Sequence, residues 1–287
     1  MLKTVRFTEK FQSDGCVMLL GGFDGLHLGH KQLMRRAQEY ALPVGVMTIV
    51  GGKEAKSLFT FREREEIFRA HGADFAFELP FSEIKDLSPQ AFVELLIEEF
   101  RPKAFVCGDD FRFGKGACGS AQTLKECGRI RVDVERLVTT RGEKISSSSI
   151  KKYLTAGEVE RANELLGEEF FLVGEVIKDR GIGKTLGFPT ANIVYPSEKF
   201  QIKKGVYETR VHVNGKEYMG ITNYGNRPTF QDQTVITETY LDGFDGELYG
   251  KTLQVRFVRF LREIKTFENV EKLKEQLKED IRRVREK

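Results

Sequence analysis

Two of the four histidines in this 287-residue chain fall in one short run, Gly21-Gly22-Phe23-Asp24-Gly25-Leu26-His27-Leu28-Gly29-His30. Imidazole N–H groups donate to anionic oxygen, and glycines let backbone N–H groups approach the same anion. Before the run, Cys16-Val17-Met18-Leu19-Leu20 is apolar enough for a buried strand; after it, Leu33, Ala37 and Ala41 recur at helical spacing. A glycine-rich turn from strand to helix concentrates free N–H groups and the helix dipole at one point, which is where phosphate binds. Gly22, His27 and His30 are therefore candidates for a phosphate site, the alternative being a glycine turn with two solvated histidines.

Four further groups of residues carry potential chemistry. Ile145-Ser146-Ser147-Ser148-Ser149-Ile150-Lys151 places four serines and a lysine at a helix start, more than a helix cap requires. Gly108-Asp109-Asp110-Phe111-Arg112-Phe113-Gly114 follows a strand-like run, with a strand-end turn bearing exposed acids as its alternative reading. Gly181-Ile182-Gly183-Lys184-Thr185 invites comparison with the Walker phosphate loop. That loop needs glycine where Lys178 stands and a helix after its Lys-Thr pair, whereas Leu186-Gly187-Phe188-Pro189-Thr190-Ala191-Asn192-Ile193 does not open a helix. Glu238 shares a strand face with Ile236 and Tyr240, where a carboxylate is either a satisfied rim acid or a working base.

The elements that must position these residues fall into two grammars. Up to about residue 150, strand candidates Cys16 to Leu20, Val44 to Val50, Asp74 to Leu79, Lys103 to Cys107 and Ile130 to Val138 alternate with helices. Thr60 with Glu63 forms a capping box for a helix ending at Gly72, and Ser88-Pro89 opens another that Pro102 stops. The alternation predicts a doubly wound, Rossmann-like parallel sheet with helices on both faces. Ser146 to Gly167 reads as two short helices broken at Gly157, which gives domains of residues 1–157 and 158–287. Beyond them, Val206 to Val213, the hairpin turn Asn214-Gly215, Lys216 to Thr222, Val235 to Leu241 and Leu253 to Phe260 predict an antiparallel β-barrel. A terminal helix follows, with Val270, Leu273, Leu277, Ile281 and Val284 on one stripe that docks on the barrel.

Composition narrows the classes. With 46 basic and 43 acidic residues interspersed, net charge +3, the chain lacks the concentrated basic face of a nucleic-acid binder. No apolar run reaches the ~18 residues of a membrane span and no signal-peptide core precedes Gly15, so a soluble cytoplasmic protein is expected. Cys16, Cys107, Cys118 and Cys127 form no Cys-x-x-Cys pair, which argues for reduced thiols and against a zinc site. Nothing in the sequence specifies an oligomeric state.

The unit His27-x-Gly29-His30 resembles the signature of the nucleotidylyltransferase superfamily, and the longer Gly-x-Phe-Asp-Gly-x-His-x-Gly-His form is similar to its flavin branch. Gly187-Phe188-Pro189-Thr190-Ala191-Asn192, behind its glycine loop, strongly resembles the riboflavin kinase signature. Gly205-Val206-Tyr207, Asn223 to Phe230 and Phe260 to Glu263 match the same family. Together they resemble the prokaryotic bifunctional riboflavin kinase and FAD synthetase over nearly the whole chain, in the right order.

That resemblance implies a transferase that phosphorylates riboflavin to FMN and adenylylates FMN to FAD, with ATP as co-substrate and Mg2+ as cofactor. His27 and His30, with Gly22, Phe23 and Asp24 of the same turn, would contact ATP phosphates, and Ser147, Ser148 and Lys151 would hold the triphosphate. Lys151 stands where the family has arginine, keeping the charge but losing the bidentate fork. Asp110 with Phe111 and Phe113 would line the flavin side of the adenylylation site. In the kinase, Gly181, Gly183, Lys184 and Thr190 would hold ATP, Thr190 and Asn192 the magnesium ion, and Glu238 would be the catalytic base. Two alternatives stay open: adenylylation of another phosphorylated acceptor, and a flavin-binding regulator with degraded sites.

Overall fold

The computed structural model describes residues 2–7, 9, 11, 13–52, 56–136, 138–178, 188–226 and 234–286, and the chain forms two units, Met1–Ser147 and Ser148–Lys287. The first unit runs β1 (Lys3–Arg6), β2 (Val17–Leu20), α1 (Leu28–Gln38), β3 (Val44–Val50), α2 (Phe61–Ala70), β4 (Phe75–Pro80), α3 (Phe81–Ile84) and α4 (Pro89–Phe100). It continues with β5 (Ala104–Gly108), β6 (Arg112–Phe113), β7 (Gly119–Ser120), α5 (Ala121–Glu126), β8 (Arg131–Glu135), β9 (Thr139–Thr140) and β10 (Glu143–Lys144). The main sheet has the order β1-β4-β3-β2-β5-β8, all parallel. From β2 the chain steps outward to β3 and β4, then returns to the other side of β2 for β5. The switch point therefore lies between the carboxyl ends of β2 and β5, where ligands of such sheets bind.

The predicted helix signals act as read. Thr60 and Glu63 close a reciprocal capping box, and Ser88 caps the Ala91 N–H ahead of Pro89. Met18, Leu20, Phe105 and Cys107 join a phenylalanine-rich core with Phe77, Phe92 and Phe100, while the alternate residues Val17, Leu19 and Val106 are equally buried. Burial of both alternating sets is the mark of a sheet covered on both faces. In the main sheet the sequence reading omits β1, whose Lys3 and Arg6 are exposed and which pairs at the sheet edge with β4.

The second unit begins one residue into α6 (Ser147–Ala156) and continues with α7 (Val159–Leu166), β11 (Phe170–Ile177), β12 (Thr190–Val194), β13 (Gly205–Val213), β14 (Lys216–Asn226), β15 (Val235–Leu241), β16 (Thr252–Arg262) and α8 (Val270–Arg285). The units part at Ser147/Ser148, before the boundary expected at Gly157, because α6 is tied onward: the Lys203 and Glu158 N–H groups donate to the Leu154 and Tyr153 carbonyls. The strands close a barrel in the order β11-β12-β15-β14-β13-β16. β11 and β12 add to the strands expected from sequence. Asn214 and Gly215 both have positive φ, 52° and 77°, as the hairpin turn between β13 and β14 requires.

Inside the barrel, Tyr207, Tyr224, Phe170 and Phe257 surround buried threonines whose hydroxyls satisfy one another: Thr209 to Thr222 at 2.8 Å and Thr222 to Thr239 at 2.9 Å. The tail helix docks as expected, by the C-terminal half of its stripe. Ile281 and Val284 pack with Val206, Ile221, Met219 and Leu261, whereas Val270 is exposed. A polar key reinforces the contact: fully buried Asp280 accepts Arg262 Nε at 3.0 Å and Nη2 at 2.7 Å.

Candidate functional site

The first site is assembled by the turn after β2. His27 is the N-cap of α1, and its Nδ1 accepts the His30 backbone N–H at 3.2 Å. An accepting Nδ1 puts the proton of the neutral ring on Nε2, so His27 presents a donor. His30 Nδ1 lies 2.7 Å from the Gly25 carbonyl oxygen, so there Nδ1 carries the proton and Nε2 keeps a lone pair while the ring is neutral. The rings stack with centroids 3.6 Å apart and 14° between planes, and buried Phe23 packs beside His30 at 4.6 Å. Gly29 makes room for this stack, since a Cβ there would stand 3.2 Å from His27 Cε1; a Cβ on Gly25 would come 2.8 Å from the Phe59 ring. Gly22 has open space beside its backbone, as an approaching ligand needs. The Asp24 Oδ1 accepts the Leu58 N–H at 2.7 Å, tying the loop to the segment ahead of α2.

Burial, and next the nearby His30, push His27 down to about 2. Burial pushes His30 down to about 4, opposed by the Gly25 carbonyl and the Asp110 carboxylate. Both rings are therefore neutral at pH 7; β2 and β5 are adjacent parallel strands, so the turn after β5 lies beside the turn after β2. Asp110 also pairs with Lys144 Nζ at 2.9 Å, a partner that the sequence reading missed. Phe111 and Phe113 stack at 5.4 Å, with Phe113 buried against Phe92. Ser147 and Ser148 open α6, and Lys151 Nζ lies 5.6 Å from the centre of the Phe200 ring.

The second site is assembled by strand register. Asn192 of β12 pairs with Glu238 of β15, Asn223 of β14 pairs with the same Glu238, and Thr190 pairs with Tyr240. Ala191, Thr237 and Thr239 on the alternate positions are buried in the barrel, which puts Thr190, Asn192, Asn223, Glu238 and Tyr240 on its outer face. Phe188 meets Tyr240 edge-on at 5.6 Å. The Oδ1 atoms of Asn192 and Asn223 are buried with no hydrogen-bond partner among the described residues. A buried amide oxygen without a donor suits a hard cation, so Thr190 and Asn192 fit magnesium. Gly181, Gly183 and Lys184 lie outside the described residues. Cys16 and Cys107 are free and buried, their thiols pushed up to about 12 by burial.

A parallel sheet with a neutral histidine pair at its switch point, joined in sequence to a closed barrel bearing a carboxylate between two amides, defines a two-domain transferase of phosphate-containing substrates. A family model for FAD synthetase matches residues 9–149, and one for riboflavin kinase matches residues 166–287. The bifunctional riboflavin kinase/FMN adenylyltransferase of Listeria monocytogenes is 33% identical, covering 95% of this chain and 92% of its own; that of Escherichia coli K12 is 30% identical, covering 98% and 95%. A solved structure from Streptococcus pneumoniae, described as a macrolide-efflux protein, superposes with a TM-score of 0.89 at 29% identity over 98% of both chains. Among the described residues no helix is long and apolar enough to cross a membrane. The chain belongs to the bifunctional riboflavin kinase/FMN adenylyltransferase family, on the strength of its full-length relatives and both family models.

Proposed function

We propose that residues 1–157 adenylylate FMN and residues 158–287 phosphorylate riboflavin, so that riboflavin and ATP yield FMN, then FAD and pyrophosphate. In the first reaction a phosphate oxygen of FMN attacks the α-phosphorus of ATP and pyrophosphate leaves. His27 donates through Nε2–H to phosphate oxygen. His30 gains a second donor by taking up a proton, which the negative triphosphate favours against the effect of burial. Ser147, Ser148 and Lys151 serve the triphosphate; Asp110, Phe111 and Phe113 serve the flavin side. Gly22, Phe23 and Asp24 shape the phosphate turn, Asp24 through its bond to Leu58.

In the second reaction Glu238 accepts the proton of the riboflavin 5′-hydroxyl as the γ-phosphoryl moves onto that oxygen and ADP leaves. Gly181, Gly183, Lys184 and Thr190 hold the ATP phosphates. Thr190 and Asn192 hold a magnesium ion, which when bound offsets the charge that develops on the transferred phosphoryl group. The partners are small molecules, riboflavin, FMN, ATP and FAD, with neither nucleic acid nor membrane among them. Reduced thiols and a family of small-molecule transferases support a cytoplasmic location.

The observation that carries this reading is the register that sets Glu238 between Asn192 and Asn223 on the outer barrel face, in a different unit from the histidine turn. Incubation with riboflavin, ATP and magnesium, followed by chromatography, should give both FMN and FAD. Neither product would point to a flavin-binding regulator, and no FAD from supplied FMN would point to another acceptor.

A further inference from the structure

We infer that Asn223 is a third oxygen donor of the kinase-site cation, on the opposite flank of Glu238 from Asn192. This rests on the reading that Thr190 and Asn192 hold that cation. Three observations carry it. Asn192 and Asn223 are the two cross-strand neighbours of one residue, Glu238, on strands β12 and β14 that flank β15. Both present a buried Oδ1 with no partner among the described residues, a cost a fold does not ordinarily leave uncompensated. Immediately behind them, the buried threonine hydroxyls of the barrel all find partners, Thr222 with Thr209 and Thr239, and Thr237 with the Ile193 carbonyl.

The reach is adequate. Strands spaced ~4.8 Å apart put the two asparagine backbones roughly 9.6 Å apart across β15. Opposed oxygens on a magnesium ion at ~2.1 Å stand about 4.2 Å apart, so each side chain must lean roughly 2.7 Å over Glu238. An asparagine covers that distance. The chemistry fits as well: two neutral amide oxygens and the Thr190 hydroxyl leave coordination positions for phosphate oxygens and water, the usual arrangement for magnesium.

The test uses the full chain with Mn2+ as probe, in the presence of ADP and FMN, and reads free Mn2+ by electron paramagnetic resonance. Any Mn2+ held by the first unit is common to all variants, so differences from the parent isolate the barrel site. Asn223→Ala should weaken that binding at least fivefold, and Asn223→Asp, which keeps the shape and adds charge, should tighten it. If Asn223→Ala does not fold, the Asp variant decides: tighter binding supports the inference, and unchanged or weaker binding overturns it. Parental affinity in both Asn223 variants, with weakened binding in Asn192→Ala, overturns the role of Asn223 alone. Parental affinity in Asn192→Ala overturns the underlying cation reading. A shifted pH profile of riboflavin phosphorylation with parental Mn2+ affinity would make Asn223 an orienting partner of Glu238, and would also overturn the inference.

Discussion

The two sites position their chemistry by opposite constructions. In the first unit a single turn does it: His27 caps the helix that carries His30, one ring is fixed by the other's backbone N–H, and Gly29 and Gly25 clear the space. In the barrel unit, Asn192, Asn223 and Glu238 are distant in sequence and meet only through strand register. A turn site is robust to what the rest of the sheet does. A register site is not, because a one-residue slip of β15 would turn Glu238 into the barrel. The difference teaches that the histidine chemistry is a local property of the chain, while the carboxylate chemistry is a property of the closed barrel.

The largest expected effect falls on the barrel side of this comparison. Glu238→Gln keeps the shape and removes the base, so riboflavin phosphorylation should drop by about 10² to 10⁴ with near-parental flavin affinity. FAD synthesis from supplied FMN should continue. A phosphorylation rate within about threefold of the parent, under 1 kcal/mol of barrier, would remove Glu238 from the mechanism.

His30→Ala should lower conversion of FMN to FAD by roughly two to three powers of ten, the scale of a lost transition-state donor, and leave FMN formation untouched. An equal fall in both rates of a folded variant would erase the separation of the two sites. Next in size, Lys151→Ala should weaken ATP use in FAD synthesis about tenfold, as befits a charged hydrogen bond to phosphate. Unchanged kcat and KM for that step would leave Lys151 as a cation resting on Phe200.

The smallest effect is one of stability. Both histidines have folded-state values below the ordinary 6.5, about 2 and about 4, so between pH 6.5 and 4 the unfolded chain takes up protons first. The stability contributed by the neutral rings is complete above about pH 6.5 and is lost as pH falls toward 4. Without ligand, the parent's melting temperature should therefore fall by several degrees more over that range than that of a His27→Gln/His30→Gln double variant. Parallel melting profiles would mean that the rings are not held neutral by the fold.

How much of this was legible follows from the same contrast. The histidine turn, the capping box at Thr60 and the Asn214-Gly215 hairpin are written in adjacent residues, and each appears where local chemistry puts it. Glu238 could be placed on a strand face by alternation, but nothing local names its neighbours; that Asn192 and Asn223 flank it is a fact of pairing. The strand β1 stayed hidden because its exposed Lys3 and Arg6 belong to a sheet edge rather than to an apolar run. The Asp280–Arg262 key escaped for a related reason, since a charged residue on a helix reads as solvated until the surface facing it is known. Lys144 as the partner of Asp110 joins two turns far apart in sequence, with no periodicity to show it.

The central claim is that the histidine site and the glutamate site do separate halves of one synthesis. Glu238→Gln should make FAD only from supplied FMN, and His30→Ala should stop at FMN. Mixed in equal amounts with riboflavin, ATP and magnesium, the two variants should together produce FAD, at a rate set by FMN passing through solution. A mixture of folded variants that makes FMN but no FAD, or neither product, would contradict the account.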